Sequence, residues 1–111
     1  MAYDEDLADR IRELLGAQSG VTEKKMFGGL AFLIEGNMAI AASGQGGLLV
    51  RVEPEQTVEL VSSTPARLFE MRGRQMTGWL RVDADDVQTP AALGSWVERG
   101  VSYARSLPAK Q

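Results

Sequence analysis

Two glycine-bracketed clusters constrain this chain more than any other feature. The first reads Lys24-Lys25-Met26-Phe27-Gly28-Gly29-Leu30-Ala31-Phe32 and is answered by Gly36-Asn37-Met38. The second reads Arg72-Gly73-Arg74-Gln75-Met76-Thr77-Gly78-Trp79. Each sets glycines, cations and large apolar side chains within a few residues of one another. Glycine reaches backbone angles and close approaches that other residues resist. Short apolar runs punctuated in this way predict strands joined by tight connections rather than long helices.

The surrounding pattern agrees. Leu7, Ile11, Leu14 and Leu15 recur at helical spacing, which predicts a helix over residues 4–15 with acids at its positive end. Strands are predicted over residues 21–27, 30–35, 38–43 and 48–52. Gly36-Asn37 supplies a two-residue hairpin connection, and residues 44–47 form a flexible glycine loop. In the fourth strand Leu48, Val50 and Val52 share one face, and Leu49 and Arg51 the other. Pro54 opens a short helix with Thr57, Val58 and Val61 as its buried side. Two more strands are predicted over 67–72 and 78–83. Thr89-Pro90 then starts a long amphipathic helix carrying Leu93, Trp96, Val97, Gly100, Val101, Ala104 and Leu107. The order α-β-β-β-β-α-β-β-α predicts a single α+β domain over residues 1–111, with a mainly antiparallel sheet packed against helices.

Composition narrows the chemistry. The chain has 111 residues, no cysteine and no histidine. The usual zinc, iron and copper ligand sets are therefore missing, and so are Ser-His and Cys-His nucleophile pairs. Asp83, Asp85 and Asp86 form the densest acidic group, but they lack the rest of a calcium loop. They read as a solvated turn before the last helix. No metal, cofactor or catalytic residue is expected. Ser43, Ser62, Ser63 and Tyr103 have no base at useful spacing and read as turn, cap or surface residues. No run approaches the length of a membrane helix, the amino terminus is acidic, and a cytoplasmic protein is expected.

The net charge of −3 is unevenly spread. Residues 65–82 carry Arg67, Arg72, Arg74 and Arg81 against Glu70 alone. Lys24, Lys25, Arg72 and Arg74 are therefore the candidates for an anion or nucleic-acid patch, with Arg51 nearby if the strands so pair. Gly28-Gly29 has two readings, a phosphate-binding nest or a bend in the sheet, and the position between two strands favours the bend. Phe27, Phe32, Met26 and Met38 would fill the core around it, and Met71 and Met76 read as core filler. If Leu80 and Val82 face the core, Trp79 and Arg81 point away beside Leu49 and Arg51. That composition suits an interface. The alternative is a three-layer arrangement in which the last helix, with Trp96, covers this second face.

Taken in order, residues 25–32, 36–38, 49–52 and 73–79 resemble the amino-terminal domain of the TfoX (Sxy) family, and the likeness extends over roughly residues 10–105. Gly28, Gly29, Gly36, Asn37, Gly73 and Gly78 carry its signature. The resemblance implies a fold like that of secretion chaperones, which often dimerise, and no catalytic residues. It also implies kinship with regulators of natural competence that act with a cyclic-AMP-responsive transcription factor. Those regulators have a second, carboxy-terminal helical domain, and this chain is expected to be a stand-alone form without it.

Three functions follow as expectations. The first is a non-enzymatic regulatory domain that binds a protein partner through Leu49, Arg51, Trp79 and Arg81, bordered by Arg72 and Arg74, with a homodimer as one arrangement. The second is direct nucleic-acid binding through Lys24, Lys25, Arg72 and Arg74. The third is a small-anion or nucleotide enzyme at the glycine clusters.

Overall fold

The structure is a computed structural model that describes residues 3–26, 28–71 and 73–108. The elements follow the order α1 (Glu5–Leu14), β1 (Val21–Met26), β2 (Gly29–Ile34), β3 (Asn37–Ala42), β4 (Leu48–Arg51), α2 (Thr57–Ser63), β5 (Arg67–Met71), β6 (Arg74–Val82) and α3 (Pro90–Ser106). Short 3-10 turns at Pro54–Gln56 and Ala84–Val87 lead into α2 and α3. All pairings are antiparallel, in the order β1-β2-β3-β4-β6-β5. This is the expected α+β architecture.

The helices start where their caps dictate. The Asp4 carboxylate accepts the Asp6 and Leu7 amides at 3.0 and 3.2 Å, and the Thr89 hydroxyl accepts the Ala92 amide at 3.2 Å. Each satisfies amide donors that have no partner inside the helix. Apolar stripes then fix which way the helices face. Leu7, Ile11 and Leu15 of the α1 region, Leu60 of α2, and Leu93, Trp96, Val97, Val101 and Ala104 of α3 join one core. Its sheet side is Leu30, Phe32, Ile34, Ile40, Leu48, Val50, Leu80 and Val82. All three helices thus lie on one face, and Trp96 is buried there. The three-layer alternative is corrected: α3 does not cross to the second face.

Several local expectations change. The β2–β3 turn consists of Glu35 and Gly36, both at positive φ (50° and 85°), with Ile34 paired to Asn37. Two successive positive φ values match a hairpin turn whose twist suits the strands. Asn37 is therefore the first residue of β3, not a turn residue. It is buried, and its side chain donates to the Pro108 carbonyl at 2.8 Å. In α2, Thr57 and Leu60 are buried, whereas Val58 is 81% exposed. The 3-10 start offsets the helical phase from the one expected for a helix beginning at Pro54. Met76 is 36% exposed rather than core filler. Phe27, Arg72 and the Met71 side chain lie outside the described residues.

Two irregularities shape the sheet. Between Phe32 and Leu33 the β2–β3 register slips by one, and Ala39 becomes the extra residue of a bulge. Gly100 of α3 sits on that bulge, where an added Cβ would run into the Ala39 carbonyl oxygen. The second slip separates Leu68↔Leu80 from Phe69↔Met76 and leaves residues 77–79 unpaired with β5. Beyond it the β5–β6 hairpin continues as an arm. The bend is held from both sides: the Gly78 amide donates to the buried Thr57 hydroxyl at 3.0 Å, and the Val52 amide donates to the Gly78 carbonyl at 2.8 Å.

Candidate functional site: the uncovered sheet face

Strand alternation turns every second side chain away from the helices. On that second face Ala31, Met38, Ala41 and Leu49 form a small buried floor. Met26, Leu33, Phe69 and Trp79, all half-buried, pack around it. Among the described residues every member of this cluster comes from a strand. The sheet thus has one face under helices and one that carries its own smaller apolar cluster. Of the residues expected to fill one core, Phe32 lies under the helices, whereas Met26 and Met38 belong to this other side.

Four predicted site residues come together here. Leu49 pairs with Arg81, and Arg51 pairs with Trp79, across the β4–β6 ladder. The Arg51 guanidinium lies 5.3 Å from the Trp79 ring centre and 5.4 Å from that of Tyr103 on α3. Both are within cation–π range, so Arg51 joins the open face to the helix behind it. Arg81 is spent differently. It donates to the Ser43 hydroxyl at 3.1 Å and to the Gln45 and Gly46 carbonyls at 3.2 and 2.9 Å. With the Ser43 amide donating to the Gly47 carbonyl at 2.9 Å and the Gly46 amide to the Ser43 carbonyl at 3.0 Å, it ties down the loop expected to be flexible. Its acceptors are neutral, so its charge stays uncompensated by a carboxylate among the described residues. Arg67 stands directly opposite Arg81, a costly like-charge pairing, and is neutralised by Asp83 at 2.6 Å.

The other predicted patch is divided. Lys24 and Lys25 are exposed on β1, an outer strand, and Arg74 lies on β6 beside the opposite outer strand. Three strands separate them, which is roughly 19 Å across the sheet at the usual strand spacing. Lys24, opposite Ala31, shares the open face, whereas Lys25, opposite Leu30, shares the helical side. Sequence reading missed this division because charge counted along a chain ignores strand order.

The glycine clusters prove to be connections. Gly28 lies in the β1–β2 turn and Gly29 begins β2 opposite Met26. No helix follows whose amides could cradle a phosphate. The hydroxyls drafted as alternatives are engaged: Ser62 and Ser63 donate to the Glu59 carbonyl at 3.0 and 2.8 Å. Among the described residues no group of three or more acidic side chains is placed to hold a metal ion, and no helix is long and apolar enough to cross a membrane. Among the described residues the perturbed titrating pair lies elsewhere. Arg12 of α1 bonds Glu23 of β1 at 2.6 and 2.9 Å, and this holds the Glu23 carboxyl below its usual range.

The geometry defines a two-layer α+β domain whose distinctive surface is a sheet face rather than a catalytic cleft. The family model described as TfoX N-terminal domain matches residues 13–104, and the chain belongs to that family of regulatory domains. No curated protein and no solved structure gave a match.

Proposed function

We propose that this is a non-enzymatic regulatory domain that works in the cytoplasm by binding a protein partner through the uncovered sheet face. The observation that carries the reading is the juxtaposition of Leu49, Arg51, Trp79 and Arg81 on a face that, among the described residues, no helix covers. A half-buried aromatic residue with arginines around an apolar floor is the composition of interface centres. The signature glycines serve turns and close approaches, which favours a structural role for them over a ligand loop. Self-association through the same face would set arginines against arginines, and this favours a different chain as the partner.

The test is affinity capture from the native host with the wild-type domain, Trp79→Ala and Arg74→Glu, each first checked for an unchanged thermal transition. A protein retained by wild type and lost with both variants supports the reading. Recovery of the same proteins by all three overturns it.

A further inference from the structure

The open face has a charge of its own. Its strand positions carry Lys24, Arg51, Arg67 and Arg81, and alternation places Arg74 on the same side of the β5–β6 arm. The acids of these strands turn the other way. Glu23 bonds Arg12 of α1, and Glu70 alternates with Phe69 of the open-face cluster. The remaining acids lie in and just before α1, in the β2–β3 turn (Glu35), in and before α2, in the turn before α3, and in α3 itself. A chain of net charge −3 thus presents a cationic, apolar face backed by an acidic helical layer. Among the described residues only Arg67 of this group has an ion-pair partner.

Building on the protein-docking reading above, we infer that the occupant of this face is an acidic amphipathic segment of another protein. Its apolar side chains pack on Leu33, Phe69 and Trp79, and its carboxylates meet Lys24, Arg51 and Arg74. Complementary charge around an apolar centre speeds encounter and sets register. The distance from Lys24 to Arg74 sets the length: Lys24 shares a row with Arg81, roughly 19 Å across the strands, and Arg74 lies four β5 positions further along, roughly 13 Å. The two are thus roughly 23 Å apart, about 15 residues of helix. A second copy of this chain would bring the same positive charges together. Nucleic acid, the other polyanion, binds sheets through free aromatic platforms. Here the Trp79 ring already carries Arg51, and the floor is alanine, leucine and methionine.

Fluorescence anisotropy with defined probes tests this. Two labelled 18-residue peptides share one leucine stripe at helical spacing and carry either glutamate or lysine on their flanks. An 18-nucleotide single-stranded DNA is the third probe. The glutamate peptide is expected to bind about tenfold more tightly than the lysine peptide and to weaken as salt rises. Lys24→Glu and Arg74→Glu are each expected to weaken it about threefold or more, with the thermal transition unchanged. Equal or tighter binding of the lysine peptide leaves the docking face standing and sinks the acidic partner. Failure of both peptides overturns the docking face as well. Binding that ignores both charge reversals puts the site elsewhere, and DNA that displaces the glutamate peptide makes the occupant a nucleic acid.

Discussion

Replacing Gly100 by alanine reads out how closely α3 approaches the sheet. In most exposed helix positions the change stabilises by about 0.8–1 kcal/mol, because glycine is the poorer helix former. Here the new methyl meets the Ala39 carbonyl oxygen of the β3 bulge. That oxygen belongs to the backbone and cannot swing aside. The helix has to lift by roughly 1 Å, and at such a gap dispersion contacts lose about a quarter to a half of their depth. Leu93, Trp96, Val97 and Val101 lie on the same stripe and would share the loss. Overpacking of this kind costs about 1–3 kcal/mol. A fixed backbone obstacle belongs in the upper part of that range, which leaves a net destabilisation of about 1–2 kcal/mol after the helical gain. The melting temperature is expected to fall by about 5–10 °C. Gly94 is the internal control. It lies in the same helix, and an added Cβ there meets nothing within 4 Å, so Gly94→Ala is expected to stabilise by about 0.5–1 kcal/mol. Urea denaturation and calorimetry of the two variants measure the difference. Equal stabilisation by both would refute the close contact of α3 with the bulge.

Three further outcomes are expected. Thr57→Val leaves the Gly78 amide without its acceptor, and urea unfolding should show a loss of about 1–3 kcal/mol that Thr57→Ser largely avoids. Asn37→Ala removes the bond to the Pro108 carbonyl, so amides near the end of α3 should exchange faster, with about 1 kcal/mol lost globally. Glu23 has a lower pKa folded than unfolded because Arg12 hydrogen-bonds its carboxylate. Its contribution is therefore present above the unfolded value of about 4.3 and disappears as pH falls through the folded one. Glu23→Gln should flatten that part of the stability–pH curve; an unchanged acid slope would contradict the pairing.

Much of the architecture was legible from local signals. Thr89 caps the helix it was expected to start, because capping depends on a few adjacent residues, and Asp4, expected only among the acids at the positive end of α1, proves to be the cap of that helix. The faces of β4 and β6 followed from alternation, and Leu49, Arg51, Trp79 and Arg81 do share one side. The shifted turn at Glu35-Gly36 shows the limit of this reading. Gly36-Asn37 looks like a loop pair in sequence, but the buried Asn37 side chain is claimed by the Pro108 carbonyl, a partner 71 residues away. Val58 was misplaced for a related reason: the 3-10 start at Pro54 changes the phase of α2.

By itself the sequence determined the elements, the absence of histidine and cysteine chemistry, and the family signature in its glycines. These depend on residue type and short-range spacing. Tertiary structure decided which face α3 covers, and with it that Trp79 and its arginines lie on a side without helices. It also decided that Lys24 and Arg74 stand on strands with three others between them, and that Arg81 holds a loop. Strand order and layer choice arise from long-range packing of apolar faces, and a linear pattern carries no record of which distant strand will be the neighbour.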